Sequence, residues 1–310
     1  LSTMVSLYSI EQNKEISVFN DFANNVRGVK KSNNVATAAF SSNEKRLMIL
    51  GDDGVIVIRN LSGLVPTYKS TGDDVGVVSL GVREIKAEEF LGNTSLKRVV
   101  IPNSVTRIGE GAFYGCTSLE SIEIPDSVIE IERCAFSKCS KLRHVTLPKY
   151  LSKIEVGLFY QCSSLEGLVV PNGVQMIELA AFRKCTSLEG IAIPNSVTDI
   201  GRLTFAECSS LRKVVIPNSV AKIGAGAFQG CASLESIEIP DSIIDIERYA
   251  FAKCPKLRNI TLPKHLSKIA TGLFWQCSSL EGVVIPNSVK DIAGNAFCNV
   301  KSIKSFSVSE

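Results

Sequence analysis

Apolar residues return along most of the chain at one fixed interval. Phenylalanine occupies Phe90, Phe113, Phe136, Phe159, Phe182, Phe205, Phe228, Phe251, Phe274 and Phe297, each 23 residues after the last, with no insertion or deletion between them. Prolines from Pro102 to Pro286 and cysteines from Cys116 to Cys277 keep the same interval. A period of this length is the mark of a solenoid or array, in which each unit buries its apolar face only against its neighbours. Within a unit, Leu119-Glu120-Ser121-Ile122-Glu123-Ile124 alternates so that Ile122 and Ile124 share one face and Ser121 and Glu123 the other, which predicts a short strand. Pro125 ends it, because proline cannot donate to a ladder, and Asp126-Ser127 supplies a turn. A second extended piece is expected at Val128–Ile131. The segment with Ala135, Phe136 and Cys139 has room for no more than one helical or 3₁₀ turn before Leu142 opens the next strand.

Residues 1–76 do not keep this interval. They hold short β-favouring runs at 16–19, 35–40, 46–50 and 54–58, with Asp52-Asp53-Gly54 as a turn between the last two. The stretch 35–60 is similar to part of a WD-type propeller blade, but lacks the Gly-His and Trp-Asp signatures. The segment is read as an irregular, β-rich cap over the first rung, since a solenoid needs its end covered. From Val77 the repeat begins in degraded form, with Val82, Ile85, Phe90 and Leu96 in register and Ser79 in the proline position. The expected division is therefore 1–76 and 77–310.

The frame I-P-x-S-V-x-x-I-G-x-x-A-F-x-x-C-x-S-L-x-x-I-x, complete at 101–123 and 216–238, resembles the leucine-rich repeat in its BspA-like, Treponema-type class. The resemblance covers about 77–310. It implies a right-handed leucine-rich-repeat solenoid of about ten 23-residue repeats, an α/β repeat fold with a concave parallel β-sheet and, here, a β-rich N-terminal cap. It also implies a binding role, often as a surface adhesin. A second periodicity overlies the first: aligned at an offset of five repeats, 101–170 and 216–285 agree at 52 of 70 positions. A block of five repeats is duplicated, so a surface feature of one block is expected in the other.

Composition narrows the function. Hydrophobic residues make up 45% of the chain, which suits a packed fold. A net charge of +3, with basic and acidic residues interleaved, gives no footprint for nucleic acid. No apolar run is long enough to span a bilayer, and the first residues carry no secretory signal. Eight of the ten cysteines, Cys116 to Cys277, sit three residues after a column Phe, an inward position, and read as a ladder of buried thiols, although rungs about 4.8 Å apart also lie within disulfide reach. His144 and His265 are five repeats apart and cannot share a site; no metal, cofactor or catalytic group is expected, and the chain is read as no enzyme.

Recognition is expected on the outward strand positions. One column reads Lys97, Glu120, Arg143, Glu166, Glu189, Arg212, Glu235, Arg258, Glu281 and Lys304, nearly alternating in sign except at Glu166 and Glu189. It is either a salt-bridge ladder or a recognition stripe. Another reads Val100, Glu123, Thr146, Val169, Ala192, Val215, Glu238, Thr261, Val284 and Ser307. The candidate partner-binding residues are Arg143, His144, Thr146, Glu166, Val169, Glu189, Ala192, Arg212, Val215, Arg258 and Thr261, with Tyr160 and Trp275 as possible aromatic anchors. The expected partner is a protein: a host or matrix protein, or a second copy. Family resemblance suggests the cell surface or secretion; an intracellular scaffold using the array as a spacer is the alternative, because no signal peptide is seen. The last strand, Ile303 to Val308, repeats the inward pattern, so either further chain or a neighbouring molecule is expected to cover that end.

Overall fold

The computed structural model describes residues 75–78 and 81–309, and before them the strands Val5–Ser9, Lys14–Phe19, Thr37–Phe40, Arg46–Leu50 and Ile56–Asn60. The chain divides into two compact units, Leu1–Thr67 and Tyr68–Glu310. The first holds one five-stranded antiparallel sheet in the order Lys14–Phe19, Val5–Ser9, Thr37–Phe40, Arg46–Leu50, Ile56–Asn60. The turn expected at Asp52-Asp53-Gly54 lies outside the described residues.

The second unit is a parallel β-solenoid of about ten turns. Most 23-residue turns, or rungs, lay down two short strands, the rungs at 167–169 and 236–238 lacking a first one. The first is the expected L-x-x-I-x-I piece, as in Arg98–Val100, Ser121–Glu123 and His144–Thr146, which pair in parallel with Ile122 beside Val99 and Val145. The second is a two-residue strand, such as Arg107–Ile108 or Glu130–Ile131, pairing Ile108 with Ile131. In both, the inward Ile or Val is buried and its neighbours face out, so two strand stacks of one coil share one core.

The third side differs from expectation. Among the described residues there is no helix, and the Ala-Phe segment hydrogen-bonds from rung to rung instead. Gly111, Phe113 and Gly115 donate their N–H groups to the carbonyls of Arg133, Ala135 and Ser137 on the next rung, while Ala112, Tyr114 and Cys116 donate within their own turn. All six of these amides thus find acceptors, which the close stacking of rungs demands and a single helical turn would not supply. The geometry requires a left-handed residue two before and two after each Phe. Glycine serves at Gly111 and Gly115 (φ 60° and 72°), but Ala180, Leu203 and Tyr249 adopt φ of 55° to 58°.

Inside the coil, the ten phenylalanines stack face to face, with adjacent ring centroids 4.8 Å apart at Phe90–Phe113 and 6.0 Å at Phe251–Phe274. All ten cysteines are free thiols, and the eight of the column are buried. Each column thiol donates to the carbonyl oxygen of the previous rung's Phe, as from Cys139 to Phe113 at 3.1 Å and from Cys277 to Phe251 at 3.0 Å. Burial pushes the thiols of Cys116, Cys162 and Cys208 up to about 12. They serve as small apolar side chains with one donor to place.

Candidate functional site

The first-strand stack carries the candidate residues on its outward face. Arg143, His144, Thr146, Glu166, Val169, Glu189, Ala192, Arg212, Val215, Arg258 and Thr261 are all exposed. Val169 is 82% exposed and Val215 56%.

The stack is not continuous. His144–Thr146 closes one run of paired strands, and Gly190–Ala192 with Lys213–Val215 begins another. Between them, among the described residues, 167–169 make no rung-to-rung backbone hydrogen bond; Glu189 still donates to the Glu166 carbonyl at 3.4 Å. Two glycines, Gly167 and Gly190, occupy adjacent outward positions there, and glycine inside a strand weakens it. Without their side chains the face is hollowed by about 510 Å³, lined by His144, Thr146, Val169 and Ala192 as well as the two glycines. Four predicted residues therefore meet at one place. Arg143, Glu166, Glu189 and Arg212 belong to the same rungs and the next one, and Val215 pairs with Ala192. Arg258 and Thr261 lie two rungs beyond Val215 and are not part of the hollow.

From Arg143 to Arg258 the charged column does not form the salt-bridge ladder. Glu281 and Lys304 pair at 2.8 Å, whereas Arg143, Arg212 and Arg258 make no ion pair among the described residues. Column ion pairs stand instead on the second strand stack, where Glu84, Arg107, Glu130, Lys153, Met176, Asp199, Lys222, Asp245, Lys268 and Asp291 follow one another and Arg107 and Lys222 bridge to their neighbours. Arg107 meets Glu84 at 3.5 Å and Glu130 at 3.3 Å, and also pairs with Glu132. Lys222 meets Asp245 at 3.7 Å and Glu247 at 2.6 Å. Sequence reasoning passed over this column, although its alternation at the 23-residue interval is as plain as the one it chose.

Tyr160 and Trp275 sit on the turn side, half-buried, each with a cation over its ring: Arg183 at 5.9 Å and Lys253 at 5.1 Å from the centroids. Tyr249 adds an edge contact to Trp275 at 6.3 Å. These two aromatic faces are engaged within the array. A second hollow of about 660 Å³, also missed, runs along the edge beside the Phe turns and is lined by Lys138, Gln161, Lys184, Glu207 and a row of Ser and Thr hydroxyls. Several of its polar groups have internal partners: Ser163 and Thr186 donate to carbonyls one rung back at 3.2 Å, and Glu207 takes Arg183 at 2.6 Å. His144 and His265 are both exposed, on separate rungs, and no cluster of three or more His, Cys, Asp or Glu suited to a metal occurs among the described residues.

Residues 83–212 and 198–310 match the BspA type leucine rich repeat region, a unit of 6 copies. The chain belongs to this leucine-rich-repeat family. It is thereby a repeat module of the protein-interaction kind. No curated protein matches the chain. Among solved structures, a leucine-rich repeat protein from Bacteroides ovatus is 21% identical, over 92% of this chain and 100% of that one, with a TM-score of 0.49. A leucine rich cell surface protein from Faecalibacterium prausnitzii is 26% identical, over 91% and 96%, with a TM-score of 0.41. The T. pallidum leucine rich repeat protein is 30% identical, over 70% and 89%, with a TM-score of 0.45. Among the described residues no helix is long and apolar enough to cross a membrane.

Proposed function

We propose that this repeat protein is a non-enzymatic adhesin-like module, displayed at a cell surface, that holds a protein partner on the outward face of its first-strand stack. The observation that carries the reading is the hollow at Gly167 and Gly190. There the exposed, unpaired side chains of the face surround a gap in its hydrogen bonding. A recess with apolar walls at Val169 and Ala192 and charges at its rim suits a protein surface better than a small molecule, which would want deeper enclosure. The face is broad and repeats in shape, as solenoid binding surfaces do. The partner is a host or matrix protein or a second copy of the chain.

The test is a folded variant with Val169→Asp and Val215→Asp, compared with the parent in capture of partners from candidate host or matrix fractions. Loss of a reproducibly captured protein is expected. Unchanged capture by the variant would move the site elsewhere on the array.

A second reading, an intracellular scaffold using the array as a spacer, has one observation in its favour: all ten cysteines are free thiols. Thiol counting on freshly isolated denatured protein tests it. Ten free thiols favour this reading, and disulfides remove it.

A further inference from the structure

The array contains its own internal comparison. Because 101–170 recur as 216–285, Glu166 corresponds to Glu281 and Gly167 to Gly282. One rung further on, Glu189 corresponds to Lys304 and Gly190 to Ser305. In the second block the site is filled from within. The Lys304 ammonium stands 2.8 Å from the Glu281 carboxylate. The space over Gly282 is also taken, since Asn259 Oδ1 lies 3.0 Å and Ser305 Oγ 3.9 Å from where a Cβ on that glycine would stand.

In the first block neither filling is present. Nothing lies within 4 Å of a Cβ placed on Gly167, and the nearest atom to one on Gly190 is the Lys213 carbonyl oxygen at 3.6 Å. Where Lys304 would bring a cation, Glu189 brings a second carboxylate. Glu166 and Glu189 are both exposed and neither forms an ion pair among the described residues. Like charges on adjacent rungs repel, so the arrangement costs stability unless something neutralises it.

We propose that this slot receives one arginine or lysine side chain from an extended segment of the partner. The stem of that side chain lies across Gly167 and Gly190, and its cationic head sits between Glu166 and Glu189, in the place that Lys304 takes beside Glu281. The proposal rests on reading the same face as the partner-binding surface. The flanking charges define the segment further. Arg143 precedes Glu166 by one rung and Arg212 follows Glu189 by one. Each stands about 7 Å from the middle of the slot at a rung spacing of about 4.8 Å. In an extended chain, residues two apart face the same way about 6.6 to 7 Å apart. The matching segment thus has acidic residues two before and two after its basic one. The duplicated block offers no such slot, so one site per chain is expected rather than two.

The experiment titrates the isotopically labelled full chain with the capped peptide Asp-Ser-Arg-Ser-Asp and follows the amide resonances of Gly167 and Gly190. A control peptide replaces arginine by citrulline, which keeps the shape and removes the charge. The arginine peptide is expected to shift both amides, with at least about tenfold weaker binding for the control and weakening by salt. Glu189→Lys, which rebuilds the arrangement of the folded second block, is expected to abolish the shifts without lowering the urea midpoint. Equal binding of the two peptides, full binding by Glu189→Lys, or no shift at about 10 mM arginine peptide would each overturn the slot. A natural partner still captured by Glu189→Lys but lost with Val169→Asp and Val215→Asp would leave the binding face in place and remove the slot alone.

Discussion

The Cys162 thiol donates to the carbonyl oxygen of Phe136, 3.0 Å away on the previous rung. The same oxygen already accepts the Cys139 amide at 3.3 Å, so the thiol is a second donor to an occupied acceptor. Removing it leaves no orphan. Cys162→Ala is therefore expected to cost about 1 kcal/mol, mostly from the small void it leaves. The alkaline limb is the sharper test. Burial raises the Cys162 and Cys208 thiols to about 12, so the folded chain holds these protons more tightly than the unfolded one. The stability they contribute is whole below about pH 8.5 and is lost as pH rises towards 12, at about 1.4 kcal/mol per pH unit per thiol. Urea midpoints between about pH 9 and 11 should fall for the parent and fall less steeply for the Cys162→Ala, Cys208→Ala double variant.

The Phe column predicts a gradient along the coil. Phe182 is fully buried between Phe159 and Phe205, at 5.5 Å from each. Phe182→Ala should cost about 3 to 5 kcal/mol. Phe297, half-buried, has a stacked neighbour on one side and the edge of Phe306 on the other, at 5.3 Å. Phe306 is itself 54% exposed. Phe297→Ala should cost roughly half as much by denaturant titration. Equal losses at the two positions would mean that the column is not the continuous core.

How much was legible follows from where the information sits. The two strands per rung, the Phe stack and the inward thiols are fixed by column identity, so Phe113, Ile122 and Cys139 could be placed from spacing. The turn conformation could not, because residues as unlike as Gly111, Cys134 and Tyr249 hold the same left-handed position. The hollow was half legible: the outward column was chosen, but the recess depends on Asn259 leaning over Gly282 while nothing leans over Gly167. The exchange of Glu189 for Lys304 and Gly190 for Ser305 stands in the duplicated block, one rung past the end of the aligned span.

Acid should weaken the ion pairs of the second strand stack. The Arg107 side chain, by hydrogen bond and charge, holds the Glu132 carboxyl below the usual carboxylate range, and Lys222 does the same for Glu247. For a depressed pKa, the stabilisation is present above the unfolded value of about 4.3 and is lost as pH falls through the folded one. Arg107→Gln should therefore lower the urea midpoint at pH 6, and its effect should shrink as pH falls below about 4.3 through the folded value. A loss that stays constant as pH falls would make the contribution one of packing by the arginine stem.

Ala180 offers the opposite test, a substitution that strengthens the fold. It holds φ of 55° two residues before Phe182, where other rungs place Gly111, Gly157, Gly226 and Gly272 at 60° to 63°. For an L-residue this conformation costs about 1 to 2 kcal/mol, because Cβ crowds the following carbonyl. Glycine removes that cost but loses about 0.5 to 1 kcal/mol through the greater freedom of the unfolded chain. The balance favours glycine. Ala180→Gly should raise stability by about 0.5 to 1 kcal/mol, read as a higher urea midpoint with an unchanged slope. The amide of residue 180 keeps its bond to the Arg202 carbonyl, 2.9 Å away, so the rung-to-rung ladder is not disturbed. A lowered midpoint would show that the methyl group of Ala180 contributes more by packing than its backbone position costs.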